Sequence, residues 1–277
     1  MQLASSFRYG SPMLRSDSPL SDDQIRHVAP SIFADGKHES RSDRYTYIPT
    51  IDVLRGLRNE GFQPFMVCQT RVRDQGKREY TKHMLRFRHA DQINGDEANE
   101  IVMLNSHDGT SSYQMIAGVL RFVCQNGMVA GDSVRDIRVP HKGNIVQNVI
   151  NGAFDVLDGF DLIREQKEGM KALTLDRDEQ HAFARSALAL RYDPTNAEAP
   201  APITESQLLV PRRFEDRRDD LWTVFQRAQE NLTKGGLQGR SRNGRAMSTR
   251  PITGIDQNIK LNRSLWMLAE AMRQLKS

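Results

Sequence analysis

The runs Gln63 to Arg73 and Arg78 to His89 mix apolar with cationic positions and read as paired strands about the polar break Asp74-Gln75-Gly76-Lys77. Side chains alternate between the two faces of a strand, and the break predicts a hairpin closed by a four-residue loop. That loop sets Arg73 opposite Arg78 and Arg71 opposite Tyr80. Arg71, Arg73, Arg78, Tyr80, Lys82, Arg86 and Arg88 then share one face with Phe65, Val67 and Met84. Met66, Cys68, Val72, His83, Leu85 and Phe87 form the other, core-facing side. Like charges set opposite each other repel, so such a face is better placed beside an anion than alone.

A second strand pair is expected from Glu100 to Asn105 and from Thr110 to Ala117, turned by Asp108-Gly109 because glycine accepts positive φ. Residues 44–49 read as a further strand. Ser21 and Gln24 form a capping-box pattern for a short helix ending near Pro30, and Thr50 is placed to cap a helix that stops at Gly61. Helical patterns follow at 119–125 and at 145–163, then from the Asp176/Glu179 capping pair to about Leu190, and at 219–232 and 257–275. Residues 193–202 read as a linker rich in alanine and proline.

The fold class is therefore α+β: a small antiparallel sheet with packed helices, followed by a mainly helical C-terminal region. The divisions fall at 1–44 (N-terminal arm and short helix), 45–175 (α+β core) and 176–277 (helical region).

Composition adjusts this picture only slightly. Hydrophobic residues make up 38% and charged residues 27% of 277, as in soluble globular chains. The formal net charge of +4 favours anionic partners weakly, so local clustering matters more than the total. No apolar run suits a membrane span or a secretory leader, and Cys68 and Cys124 sit in apolar contexts suited to buried free thiols. A bacterial cytoplasmic location with no membrane partner is the expectation.

The second cationic feature is the glycine-rich loop at 234–250, where Lys234, Arg240, Arg242, Arg245 and Arg250 occur without an acid. Guanidinium groups on such a loop suit a phosphate chain. Lys234-Gly235-Gly236-Leu237-Gln238-Gly239 lacks the Gly-Lys-Ser/Thr ending of a nucleotide-hydrolysing loop. His107-Asp108 with Ser106, Ser111 and Ser112 lacks any nucleophile-elbow pattern, and the histidines lack metal-site spacing. Catalytic residues, cofactors and metals are therefore not assigned.

Several blocks carry a resemblance: Ala29-Pro30-Ser31-Ile32-Phe33-Ala34, Lys37-His38-Glu39-Ser40-Arg41-Ser42, and Arg44-Tyr45-Thr46-Tyr47-Ile48-Pro49-Thr50. Leu104-Asn105-Ser106-His107-Asp108-Gly109, Ser112-Tyr113-Gln114 and Arg121-Phe122-Val123-Cys124-Gln125-Asn126-Gly127 continue it. Val139-Pro140-His141-Lys142-Gly143, Glu230-Asn231-Leu232 and Lys234-Gly235-Gly236-Leu237 complete it. From about residue 20 onward the chain resembles the YfjQ/YafZ/YubP family, an uncharacterised group of bacterial prophages and plasmids. The resemblance implies a mobile-element setting and assigns no site.

The expectation is a non-enzymatic nucleic-acid-binding protein, single-stranded DNA favoured, acting as a strand binder or annealer. Arg71, Arg73, Lys82, Arg86 and Arg88 would contact phosphates, Tyr80 would stack on a base, and Arg240, Arg242 and Arg245 would close over the strand. The alternative is a protein-interaction module acting on a host defence or regulatory protein. An enzyme centred on His107 and Asp108 is a third reading, and self-association into an oligomer is allowed.

Overall fold

Strand register, rather than alternation, decides where the cations go. The computed structural model describes residues 3–4, 12–42, 45, 47–89, 93–94, 97–122, 126–130, 145–196, 198 and 200–276. The chain divides into two compact units, Met1–Met128 with Val134–Phe160, and Val129–Ser133 with Asp161–Ser277.

The first unit is built on one sheet. Its strands are β1 (Leu3–Ala4), β2 (Met13–Arg15), β3 (Phe62–Gln69), β4 (His83–His89), β5 (Ile93–Asn94), β6 (Glu97–Asn105), β7 (Gln114–Arg121) and β8 (Asn126–Val129). They lie in the order β1-β2-β3-β4-β6-β7-β8, and β5 pairs with β6. From β1 through β7 the pairings are antiparallel. Val67, Leu85, Met103 and Met115 form one buried cross-strand row, and Phe87, Ile101 and Ala117 form the next on the same face. Helices α1 (Asp22–Val28), α2 (Thr50–Asn59) and α3 (Ile145–Asp158) also belong to this unit. Phe154 of α3 meets Phe62 edge-on with ring centroids 5.5 Å apart. The expected capping box opens α1, with the Ser21 hydroxyl accepting from the Gln24 amide and the Gln24 side chain accepting from the Ser21 amide.

The opposite face of the sheet closes over itself. The Arg86 side chain of β4 donates to the carbonyls of Met128 (3.3 Å) and Gly127 (3.4 Å) in β8, although β6 and β7 lie between those strands in the sheet. Arg86 Nη1 also donates to Glu100 Oε2 at 3.0 Å, and Arg88 Nε to Glu100 Oε1 at 2.9 Å. Gly118 and Gly127 make room for this: a Cβ at Gly127 would stand 2.5 Å from Arg86 Nη1, and one at Gly118 would stand 3.3 Å from it. Burial alone would raise the Glu100 pKa, but the positive charges of Arg86, Arg15 and Arg88 outweigh it and hold the carboxyl below its ordinary value.

Several local expectations are corrected. The first hairpin has a long connection: β3 stops at Gln69 and β4 starts at His83, with a 3₁₀ turn at Gln75–Tyr80 between them. Gln69 pairs with His83 and Met66 with Arg86, and a bulge at Phe65 shifts the register between Pro64 and Met66. Residues 119–121, expected to be helical, continue β7, while residues 123–125 lie outside the described residues. Met115 to Leu120 are buried on both faces, so the strand shows no alternation to distinguish it from a buried helix. Of the strand expected at 44–49, Tyr45 and Tyr47–Pro49 are described and form no strand. Pro49, rather than Thr50, takes the N-cap of α2, leaving the Thr50 hydroxyl for other partners. Cys68 is a buried free thiol pushed by burial up to about 12, and Cys124 lies outside the described residues.

The second unit is mainly helical: α4 (Phe160–Ala172), α5 (Arg177–Arg191), α6 (Glu205–Leu208), α7 (Leu221–Lys234) and α8 (Ile255–Lys276), with a hairpin of β9 (Gln238–Arg240) and β10 (Ala246–Ser248). The single helix expected at 145–163 is instead α3 and α4, broken at Gly159. Asp176 and Glu179 form the expected capping box on α5. Every residue of α7 from Leu221 to Thr233 is buried. Its aromatic residues Trp222 and Phe225 pack on Trp266 of α8, with centroids 6.0 and 6.1 Å from it. Its polar residues find partners: Gln229 donates to Asn262 at 2.6 Å, and Asn231 donates to the carbonyls of Leu208 (2.8 Å) and Val210 (2.9 Å). No described helix is long and apolar enough to cross a membrane.

Replacing Glu100 by glutamine leaves two buried guanidiniums without their carboxylate. The expected cost is about 3–5 kcal/mol in urea unfolding at pH 7. A loss below about 1 kcal/mol would show that the arginines do not depend on it.

Candidate functional site

The arginines expected on one sheet face are split by the curl of the sheet. Arg71, Arg73 and Arg78 are exposed on the connection between β3 and β4, together with Lys77 and the acids Asp74 and Glu79. Asp74 starts the turn by accepting from the Gly76 amide at 2.9 Å, and Gln69 Nε2 ties it down by donating to the Arg78 carbonyl at 2.7 Å. Tyr80 is half-buried, edge-on to His38 with centroids 5.2 Å apart. Lys82, Arg86 and Arg88 are only 9%, 2% and 4% exposed. They do not join the exposed arginines, because the sheet folds over Arg86 and because Glu100, distant in sequence, supplies a carboxylate inside it.

In the second unit the glycine-rich loop is an ordered hairpin. Arg240 pairs with Ala246 and Gln238 with Ser248, and Arg240, Arg242 and Arg245 are exposed around the turn. Its base is fixed by Thr249, whose carbonyl accepts from the Gly236 amide (2.8 Å) and whose hydroxyl accepts from the Leu237 amide (3.0 Å). Gly235 has φ +62, and a Cβ there would stand 2.6 Å from the Arg250 carbonyl carbon, so this position requires glycine. Lys234 is held by Glu230 at 2.8 Å, apart from the exposed arginines. Glu230 also binds Arg213, and Arg212 donates to Asn231 at 2.7 Å, so Glu230 and Asn231 of α7 hold the segment that precedes it.

The first unit also holds a buried polar cluster. Gln69, Ser31, His83, Thr50, Asn105 and His107 are each 3% exposed or less. Gln69 Oε1 accepts from both the amide and the hydroxyl of Ser31, at 3.0 and 2.8 Å. His83 Nδ1 lies 2.8 Å from Ser31 Oγ and 3.1 Å from the Thr81 carbonyl. A carbonyl only accepts, so the network assigns the proton to Nδ1 and leaves Nε2 to accept from the Thr50 hydroxyl at 2.9 Å. Thr50 Oγ1 accepts in turn from Asn105 Nδ2 at 2.9 Å and has His107 Nε2 at 3.4 Å. His107 Nδ1 is buried without a hydrogen bond. Burial, reinforced by His107, lowers the His83 pKa to about 3. Burial lowers that of His107 to about 4, outweighing the opposing charge of Asp108. Among the described residues no group of three or more His, Cys, Asp and Glu side chains is arranged to hold a metal ion.

Sequence reasoning did not connect Ser31, Thr50, Gln69 and Asn105 with the histidines. The signal was present, since Ser31, His38, Thr50, Asn105 and His107 all fall in the blocks quoted for the family resemblance. The block at residues 139–143 lies outside the described residues.

A family described as a domain of unknown function, DUF932, matches residues 37–266. The chain belongs to the DUF932 family. It is 54% identical to the UPF0380 protein YafZ of Escherichia coli (strain K12) over 266 residues, covering 96% of each chain. It is 53% identical over 266 residues to the UPF0380 protein YfjQ of the same organism, again covering 96% of each. No solved structure matches. The DUF932 span takes in both basic loops and, apart from Ser31, the histidine cluster.

Both folded histidines titrate below their ordinary 6.5, so the unfolded chain takes up protons first as the pH falls. Their contribution is complete above pH 6.5 and is lost as the pH falls, toward about 4 for His107 and about 3 for His83, by at most about 1.4 kcal/mol per histidine per pH unit. Urea midpoints measured from pH 7 to 4 should decline accordingly, and His107→Asn should flatten the profile. An identical slope in that variant would place the proton uptake elsewhere.

Proposed function

We propose that this DUF932 protein is a non-enzymatic, sequence-tolerant nucleic-acid-binding protein of a mobile genetic element, working in the bacterial cytoplasm as a single-strand binder or annealer. The observation that supports it most is the anchored hairpin carrying Arg240, Arg242 and Arg245 into solvent with no acid between Lys234 and Arg250. Arginine donates to phosphate oxygens in a planar fork and stays charged at every physiological pH, so the hairpin suits a phosphate backbone. Arg73, Lys77 and Arg78 on the turn of the first unit supply further exposed cations. The histidine cluster is left out of this reading, because its members are buried and bonded to one another.

The second reading is a protein-interaction module acting on a host defence or regulatory protein. It is favoured by Val210 and Phe214, large apolar side chains left 54% and 75% exposed. A host protein retained by a pull-down after nuclease treatment, and lost with Phe214→Ser, would select it.

Fluorescence anisotropy with a labelled oligonucleotide tests the first reading. Affinity should fall steeply with salt, and the triple variant R240A/R242A/R245A should reduce the slope of log K against log salt by about 2 for a single strand. Absence of salt-sensitive binding at low micromolar protein would end the proposal.

A further inference from the structure

We propose that the outer edge of β10 is a docking site for an acidic, extended peptide segment of a partner protein, which adds to the β9–β10 hairpin as a third strand. The site goes beyond the nucleic-acid reading and does not rest on it. The hydrogen-bond alternation of the hairpin points to it. The Ser241 amide donates to the Arg245 carbonyl and the Thr249 amide to the Leu237 carbonyl, both at 2.9 Å. Bonded and non-bonded pairs alternate along an antiparallel ladder, so Gly239 and Met247 are the bonded pair between them. Arg240 with Ala246 and Gln238 with Ser248 are then the non-bonded pairs, whose backbone N–H and C=O groups point away from each other.

The two outer edges of the hairpin differ. Along β9 the Arg240 amide donates to the Pro202 carbonyl at 3.0 Å, and the Gln238 carbonyl accepts from the Gln207 side-chain amide at 2.6 Å. Gly239 lets the chain at Pro202 lie against this strand, because a Cβ there would collide with the Pro202 carbonyl. Along β10 no second strand pairs among the described residues, and Ala246, Met247 and Ser248 are all exposed. The outward groups of Ala246 and Ser248 therefore form a short row of donors and acceptors facing solvent, the geometry that strand addition uses. A phosphate chain supplies only acceptors to such a row, whereas a peptide backbone supplies both.

Charge sets the chemistry of that peptide. Arg240, Arg242, Arg245 and Arg250 are exposed around the edge, and no acid occurs between Lys234 and Arg250. Met247, 38% exposed at the middle of β10, offers one apolar contact among these cations. A second copy of the chain fits less well. Antiparallel pairing of two β10 strands about Met247 would set Arg245 of each copy opposite Thr249 of the other, beside that copy's Arg250, and like charges so placed repel.

The probe is a fluorescein-labelled peptide of alternating glutamate and valine, titrated with the full chain at low salt and read by anisotropy. Wild type should bind it saturably. Methylating the peptide's backbone nitrogens keeps its charge but removes its donors, and should weaken binding about tenfold or more. Ser248→Pro keeps every arginine and removes an N–H that the β9–β10 ladder does not use, so it should weaken binding of the unmodified peptide by a similar factor. Amide hydrogen exchange on the wild-type chain needs no variant to fold: the peptide should slow exchange at Ala246 and Ser248. No saturable binding at high micromolar protein, equal affinity for the methylated peptide, unchanged affinity in Ser248→Pro, or unprotected Ala246 and Ser248 amides would overturn the assignment. So would a concentration-dependent dimer lost in Ser248→Pro, which would give the edge to a second copy.

Discussion

One carboxylate holds two guanidiniums inside the sheet, and the architecture of the first unit accommodates that contact. Glu100 stands within 3.0 Å of both Arg86 and Arg88, and the sheet bends until backbone carbonyls of β8 reach Arg86 as well. Glycine at 118 and 127 follows from the same contact, because a side chain at Gly127 would occupy the space of the guanidinium. Desolvating such ions is expensive, so their placement is governed by pairing more than by attraction to a distant ligand.

This contact divides the cations of the chain into two populations. Arg86 and Arg88 belong to the interior of a sheet, whereas Arg73, Arg78, Arg240, Arg242 and Arg245 are exposed on turns. A modest net charge of +4 therefore says little about which of them meet a partner. The turn arginines face solvent, whereas the interior pair is committed to Glu100. The histidine cluster adds a third polar feature, a hydrogen-bonded chain from Gln69 through Ser31, His83 and Thr50 to Asn105, which ties the start of α2 to the ends of β3, β4 and β6.

What the sequence made legible was local. The Ser21 and Asp176 capping boxes, the positive φ of Gly109 and the α+β class all rest on chemistry confined to a few neighbouring residues. The exposed arginines of the C-terminal loop were readable for the same reason. The fate of Arg86 and Arg88 was not, because their partner Glu100 lies on another strand and a one-residue change of register alters the cross-strand neighbours. Strand β7 looked partly helical because both its faces are buried, which removes the period-two signal. Thr50 looked like a cap, yet its hydroxyl meets residues up to 57 positions away. Long-range polar pairing was the part that no window of the sequence displays.

Arginine side-chain Nε–H signals in a nitrogen–proton correlation spectrum, recorded without phosphate, test this division of cations directly. The account predicts dispersed, slowly exchanging signals for Arg86 and Arg88, and addition of an oligonucleotide should shift those of Arg240, Arg242 and Arg245 while leaving the interior pair in place. Rapidly exchanging Arg86 and Arg88 signals that move with the oligonucleotide would contradict it.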